Sequence, residues 1–217
     1  LVGLDYTRKS LDRVQRAGYD NLDPLDLYTP TYGSTVTLPA APDISTLERQ
    51  SQVGIYAQNQ MKLDRRWVLV LSGRYDKASV DLHNRLSGAT TETDAHAWTG
   101  RAGLVYLADN GLAPYVSYAT SFEPNVGVNA SGAPFVPSKA SQYEVGLKYQ
   151  PTGVDALFTV SAFDIRQRDA LVPDTFGFNT QEGRIRSRGL EFEARGQVTN
   201  NLELIAALTL LDTKVTQ

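Results

Sequence analysis

Long stretches of strictly alternating apolar and polar residues constrain the fold of this chain more than any other feature. From Ser187 to Val198 one set of positions reads Arg188, Leu190, Phe192, Ala194, Gly196 and Val198, while the interleaved set reads Ser187, Gly189, Glu191, Glu193, Arg195 and Gln197. A period of two belongs to a β-strand with unlike faces. The same alternation sets Trp67, Leu69, Leu71, Gly73 and Tyr75 against Val68, Val70, Ser72, Arg74 and Asp76. It also sets Tyr143, Val145, Leu147 and Tyr149 against Glu144, Gly146 and Lys148.

The pattern predicts nine strands, near 1–8, 51–63, 67–82, 97–108, 112–122, 141–150, 156–168, 182–198 and 202–216. Many exceed ten residues, whereas strands of globular proteins average about five or six. About ten is the length a tilted strand needs to cross hydrocarbon. Short connections at Asp64-Arg65-Arg66, Asp109-Asn110-Gly111, 151–155 and Thr199-Asn200-Asn201 take turns with long ones near 9–50, 83–96, 123–140 and 169–181. Asn110-Gly111 is the strongest local hairpin signal among them. A soluble sheet with one wet face also fits the alternation, but strand length and the segregation of connections by length favour a membrane wall. The expected fold class is therefore all-β, an antiparallel transmembrane β-barrel portion with short turns on one side and long loops on the other. Aromatics near the short turns (Trp67, Tyr106, Tyr115 and Tyr149) suit an interfacial girdle.

On this basis Leu190, Phe192 and Ala194 face lipid. Arg74, Asp76, Arg101, Glu144, Lys148, Glu191, Glu193 and Arg195 face the lumen. Residues 157–165, mixed on both sides, and 202–211, apolar on both sides, have no assignable face. An unclosed sheet leaves unpaired edges in lipid, and strand alternation still runs at the end of the sequence, so the chain is expected to be an interior part of a longer barrel.

Composition removes several functions. With 21 Lys and Arg against 24 Asp and Glu, for a formal charge of -3, there is no basic stripe to neutralise phosphodiesters, so nucleic acid is not an expected partner. The chain has no cysteine, which excludes disulfide frameworks and zinc-thiolate sites. Its two histidines, His83 and His96, bracket one expected loop without a nucleophile or ligand-spaced partner, so neither enzyme chemistry nor a resident metal or cofactor is expected. Ser45-Thr46-Leu47-Glu48 fits a capping box and predicts a short helical turn in the first long connection. Tyr19, Tyr28, Tyr32, Phe122, Phe135, Phe176 and Phe178 lie in expected polar loops, where aromatics either pack the loops or contact a ligand.

Four segments carry a family likeness. Gly54–Leu63 followed by Leu71-Ser72-Gly73-Arg74-Tyr75-Asp76 resembles the paired strands of TonB-dependent siderophore receptors, and Gly100–Tyr106 through Asn110–Pro124 is similar to their next hairpin. Gln142–Tyr149 and Arg186–Ala194 resemble two further strands, and Pro30-Thr31-Tyr32-Gly33 resembles a first-loop motif of the ferrichrome and hydroxamate-type branch. The resemblance implies that 1–217 is part of a 22-stranded barrel whose plug domain and closing strands are not in this chain. It implies an outer-membrane receptor in a Gram-negative bacterium that binds a ferric siderophore, of hydroxamate type, at its extracellular loops. Import would use energy passed by the TonB complex through the plug region, with outer-membrane lipid around the wall. The iron arrives already chelated, so aromatic and polar contacts rather than metal ligands are expected, with Tyr28, Tyr32, Phe122 and Phe135 as candidates. A passive channel or an adhesive or structural barrel is the alternative.

Overall fold

In the computed structural model, residues 1–17, 25–33, 38–129, 131–173, 179–199 and 201–216 are described. Tyr19, Phe176, Phe178 and Asn200 lie outside them. The described residues form one antiparallel sheet in which each strand pairs with the next in sequence. Its strands are β1 (Val2–Gln15), β2 (Ile44–Leu63), β3 (Trp67–Asn84), β4 (Thr90–Tyr106), β5 (Leu112–Glu123), β6 (Ser138–Tyr149), β7 (Ala156–Pro173), β8 (Asn179–Thr199) and β9 (Leu202–Thr216).

Several strands run further than the alternation of apolar residues predicts. β2 has 20 residues, β3 18 and β8 21. The added lengths are mainly polar and hold by ladder pairing, as in Lys9↔Gln50 and Arg13↔Thr46. The expected long connection at 83–96 is consequently a tight turn at 85–89. There the Asn84 side chain accepts from the N–H groups of Leu86 at 2.9 Å and Ser87 at 3.2 Å. His83 and His96 are strand residues, and the His83 ring lies 3.0 Å from the Thr90 hydroxyl. The capping box at Ser45–Glu48 forms no helical turn, because these residues pair with β1 from Leu11 to Val14. Loop length therefore segregates less sharply than the sequence suggests.

Turn chemistry fixes the register. Asp64 and Arg65 both adopt positive φ (50° and 55°), the backbone that a tight hairpin needs to match the right-handed twist of its strands. The register gives every strand an apolar and a polar face. The apolar face carries Trp67 to Tyr75 on β3, Trp98 to Tyr106 on β4, Tyr143 to Tyr149 on β6 and Leu190 to Ala194 on β8, at alternate positions. It assigns the two ambiguous strands as well. Phe158, Val160 and Ala162 share the face of Leu147 and Phe192, and Ala206, Leu208 and Leu210 continue it onto β9.

Aromatic pairs bound this band on both sides. Trp67–Tyr106 (4.8 Å between ring centroids) and Tyr149–Phe158 (6.4 Å) lie near the short turns, and Tyr75–Trp98 (5.0 Å) and Tyr118–Tyr143 (4.7 Å) lie further along the strands. From Trp67 to Tyr75 at about 3.3 Å per residue and a tilt near 40°, the band is roughly 20 Å tall, close to the apolar belt of a membrane barrel. Tyr115 does not join the girdle, because its register sets it on the polar face, with its hydroxyl on Glu144.

Between β4 and β5 the ladder is short. Pairing runs only from Arg101↔Ala119 to Val105↔Tyr115. Beyond it the Gly100 N–H donates to the Thr120 hydroxyl at 2.9 Å instead of to a strand carbonyl. A side-chain oxygen that satisfies a backbone donor competes with the ladder, and β4 and β5 part there.

Candidate functional site

All eight charged residues expected on one side share the polar face. Arg74 and Asp76 align with Thr99 and Ala97, and Ser72 with Arg101. Ser117 aligns with Glu144, Ala113 with Lys148, and Ser161, Thr159 and Leu157 with Glu191, Glu193 and Arg195.

Two constellations cross-link this face. In the first, the Arg74 guanidinium forks between two carboxylates. It donates to Asp76 through Nε at 2.7 Å and Nη2 at 2.5 Å, and to both oxygens of Asp5. Gln52 adds a bond to Asp76 Oδ1 at 2.9 Å, and Arg74 lies 5.9 Å from the Tyr56 ring centroid. Asp76 is 2% exposed. Arg74 reaches Asp5 from β3 by lying flat across β2. A Cβ at Gly54 would collide with the guanidinium and with the Asp76 carboxylate. Glycine is therefore required there by close approach. Two carboxylates share one guanidinium, so the cluster carries a net negative charge, with planar bidentate bonding that lysine could not reproduce.

In the second, the Tyr115 hydroxyl donates to Glu144 Oε1 at 2.6 Å and Gln142 donates to Oε2 at 2.9 Å. The ring occupies the space that a side chain at Gly146 would fill, and the Lys148 ammonium lies 5.5 Å from its centroid. No side-chain hydrogen bond or ion pair joins Arg101, Glu191, Glu193 or Arg195 to another described residue. Of the eight, these four and Lys148, which meets only the Tyr115 ring, make no side-chain hydrogen bond or ion pair within the wall. Among the described residues no His, Cys, Asp and Glu group could hold a metal ion, and no buried side-chain polar atom is unpaired. The arrangement can hold charge and hydrogen bonds in place but offers no activated nucleophile.

The four aromatic contact candidates separate. Tyr28 (91% exposed) and Tyr32 (78%) stand out from the first connection. Their segment is shaped by Asp26, whose carboxylate accepts from the N–H groups of Tyr28 at 2.7 Å and Thr29 at 3.0 Å. Those bonds, Thr29's first and then Tyr28's, hold the Asp26 pKa below its ordinary value of 3.8. Phe122 is not a loop residue. It pairs with Lys139 on the apolar face of β5, since strand pairing continues to Glu123. Phe135 is 4% exposed and packs over Gly127 within the β5–β6 connection.

That connection is tied to its neighbour. The Asp169 carbonyl, in a bulge of β7 where φ is 56°, accepts from Asn125 at 3.4 Å, Ser138 at 2.8 Å and Gln181 at 3.2 Å. The Gln181 amide also pairs with both the N–H and the carbonyl of Val136, as a strand would. Sequence reasoning missed Asp5, Gln52 and Gly54 in the first constellation, because a cross-strand partner has no fixed sequence spacing.

Comparison with known proteins agrees with this wall. The family model "TonB dependent receptor-like, beta-barrel" matches residues 1–217. The ferrichrome outer membrane transporter/phage receptor of Escherichia coli K12 is 37% identical over 223 residues, covering 100% of this chain and 30% of that protein. The ferrioxamine B receptor of Salmonella typhimurium is 35% identical, covering 98% and 30%. The chain thus spans about a third of the length of these relatives. Among solved structures, the siderophore receptor PiuA from Acinetobacter baumannii superposes with a TM-score of 0.78 at 22% identity, covering 100% of this chain and 35% of that one. That similarity establishes the fold alone. By the match of the family model along its whole length and by these relatives, the chain belongs to the TonB-dependent receptor family, as part of its β-barrel.

Proposed function

We propose that the chain is a wall segment of an outer-membrane receptor of a Gram-negative bacterium that binds a ferric siderophore and imports it in a TonB-dependent manner. The observation that carries this is full-length similarity to receptors named for ferrichrome and ferrioxamine, at 37% and 35% identity. Both names denote hydroxamate chelates, so a hydroxamate siderophore is the ligand class we favour. The wall suits the task. Its apolar band, roughly 20 Å tall, is close to the apolar belt of a membrane barrel, and its other face is a polar lining suited to water or a plug. In this proposal Arg74, Asp76, Arg101, Glu144, Lys148, Glu191, Glu193 and Arg195 line the lumen. Arg101, Glu191, Glu193 and Arg195 are the ones free to meet a plug. Tyr28 and Tyr32 are the proposed siderophore contacts, as exposed amphipathic rings suit a bulky chelate that presents amide and hydroxamate oxygens. Phe122 and Phe135 are assigned to the wall and to loop packing instead.

The test is uptake of iron-55 as ferrichrome, ferrioxamine B or a catecholate chelate by cells whose only siderophore receptor is the full-length protein. Uptake of a hydroxamate chelate that stops when TonB is deleted supports the proposal. TonB-independent entry of small solutes would instead favour a passive channel, and no entry with surface binding an adhesive barrel.

A further inference from the structure

Above Arg101 the sheet divides. β4 stays paired with β3 as far as Thr90, and β5 stays paired with β6 as far as Glu123. Between β4 and β5 the ladder ends at Arg101↔Ala119. Among the described residues, the bonds that cross this seam beyond the ladder belong to one side chain. The Thr120 hydroxyl accepts from the Gly100 N–H at 2.9 Å and donates to the Gly100 carbonyl at 3.4 Å.

Nothing in the sequence of the two edges forbids pairing. Continued without a shift, the register would set Gly100 against Thr120, Thr99 against Ser121, Trp98 against Phe122 and Ala97 against Glu123. Edges built to stay apart carry proline, a bulge or like charges, and these positions hold no proline and set no like charges opposite each other. The next pair would be His96 with Pro124. The Gly100 N–H points across the seam, so every second residue from it, His96 included, exchanges main-chain bonds with its partner. Proline has no N–H to give. The seam that can close is therefore four pairs long, from Gly100 with Thr120 to Ala97 with Glu123, and ends at a proline.

The seam separates the two outer connections. The β1–β2 connection, with Tyr28 and Tyr32, belongs to the strands on one side. The β5–β6 connection starts from Glu123 on the other, and Asn125 and Ser138 tie it to β7 through the Asp169 carbonyl. Ala97, Trp98, Ser121 and Phe122 border a cleft of about 870 Å³, which leaves room for the two edges to approach. Closure exchanges the bonds of one hydroxyl for main-chain bonds. It also brings Trp98, 77% exposed in the parted state, beside Phe122 on the same face, and aromatic pairs across a ladder are favourable.

We propose that the β4–β5 seam is a latch with a parted state, in which the Thr120 hydroxyl holds Gly100, and a zipped state, in which the ladder continues to Ala97 and Glu123. Zipping carries the β5–β6 connection toward the β1–β2 connection. A ligand that touches both connections binds the zipped state more tightly and shifts the latch toward it, a step that rests on the siderophore-binding reading.

The test is disulfide trapping in the full-length receptor with no other cysteine, reconstituted in bilayers. In a zipped seam Thr99 and Ser121 form a non-hydrogen-bonded pair, whose Cα atoms lie about 4.5 Å apart, within disulfide reach. Thr99→Cys with Ser121→Cys is expected to cross-link at least about fivefold faster with saturating ferrichrome or ferrioxamine B than without. The control is Gly103→Cys with Ser117→Cys in the standing ladder, where a Cβ at Gly103 would lie 3.6 Å from that of Ser117. It is expected to cross-link equally in both conditions. Adding Thr120→Val removes the hydroxyl and keeps a strand-forming shape, so the seam pair is expected to cross-link faster with no ligand present. Thr120→Ala serves the same purpose if the valine variant fails to fold. A seam pair that never cross-links while the control does overturns the proposal. So does a rate that neither change at Thr120 alters, and so does a rate unmoved by a siderophore that binds. Absence of siderophore binding, read by fluorescence quenching, refutes the transport reading, and the Thr120 comparison then decides the latch on its own.

Discussion

The face assignment is most exposed to refutation at adjacent residues of β8. Ala194 lies on the apolar face opposite Phe158 and Ala206, and Glu193 on the polar face opposite Thr159 and Ala207. Along the apolar face of β8 the sequence from the outer side inward is Arg188, Leu190, Phe192, Ala194, Gly196 and Val198. Ala194 is thus six residues from the first charged position, about 15 Å along the membrane normal at 3.3 Å per residue and a 40° tilt, near the middle of the belt. Arginine at a barrel midplane costs about 2 to 4 kcal/mol, falling to about 0 to 1 near the interface. Ala194→Arg removes only a methyl group, so its cost is that of placing the cation, and Leu190→Arg, one step inside Arg188, should cost about 1 kcal/mol or less for the charge. Glu193→Arg, on the polar face, should change stability little. The assay is reversible urea unfolding of the full-length receptor in phospholipid bilayers, followed by tryptophan fluorescence. If Glu193→Arg costs as much as Ala194→Arg, the faces are inverted or the sheet does not sit in lipid. If Leu190→Arg costs as much as Ala194→Arg, the belt extends further outward than the position of Arg188 allows.

Other predictions follow from the polar face and the outer connections. Gly54→Ala should displace Arg74 from Asp76 and cost about 1 to 3 kcal/mol in the same unfolding assay, and should add far less when introduced into a receptor already carrying Arg74→Ala, because the two act on one contact. Tyr115→Phe should cost about 1 to 2 kcal/mol by removing the hydrogen bond to a charged Glu144, and Gly146→Val should cost at least as much by evicting the ring. Tyr28→Ala with Tyr32→Ala should weaken siderophore binding by about tenfold in equilibrium fluorescence quenching, with unfolding unchanged. Asp26 has a depressed folded pKa, so its turn gains stability above the unfolded value of about 3.8 and loses it as pH falls through the lower folded value. A carbon-13 titration of the Asp26 carboxyl should therefore show a midpoint below that of an Asp in an unstructured peptide, and a midpoint at or above it would remove the turn's hydrogen bonds.

Much of the fold was legible because period-two alternation reports directly on burial of one strand face. Trp67 to Tyr75 and Leu190 to Ala194 lie on the apolar face for the reason their spacing gave. β7 and β9 were opaque because their polar faces also hold apolar side chains. Phe163 fills the space over Gly189, and Leu211 pairs with that glycine. Only register against β6 and β8 tells which set continues the belt. The outer strand extensions were invisible for the opposite reason. Arg49 and Asp94 are exposed, and the buried residue beside Asp94 is the small Ala95, so these segments leave little hydrophobic alternation. At the candidate site, charge type and face were readable from Arg74, Asp76 and Glu144. Which carboxylate Arg74 would reach was not, since Asp5 is 69 residues away in sequence.

The Asp169 carbonyl couples parts of the outer surface that belong to different hairpins. It gathers Asn125 and Ser138 from the two ends of one connection and Gln181 from the start of β8. A ligand that draws the β5–β6 connection inward must carry the end of the β7–β8 hairpin with it or break these bonds together. The two therefore move as one body, and a contact made by either is felt by both.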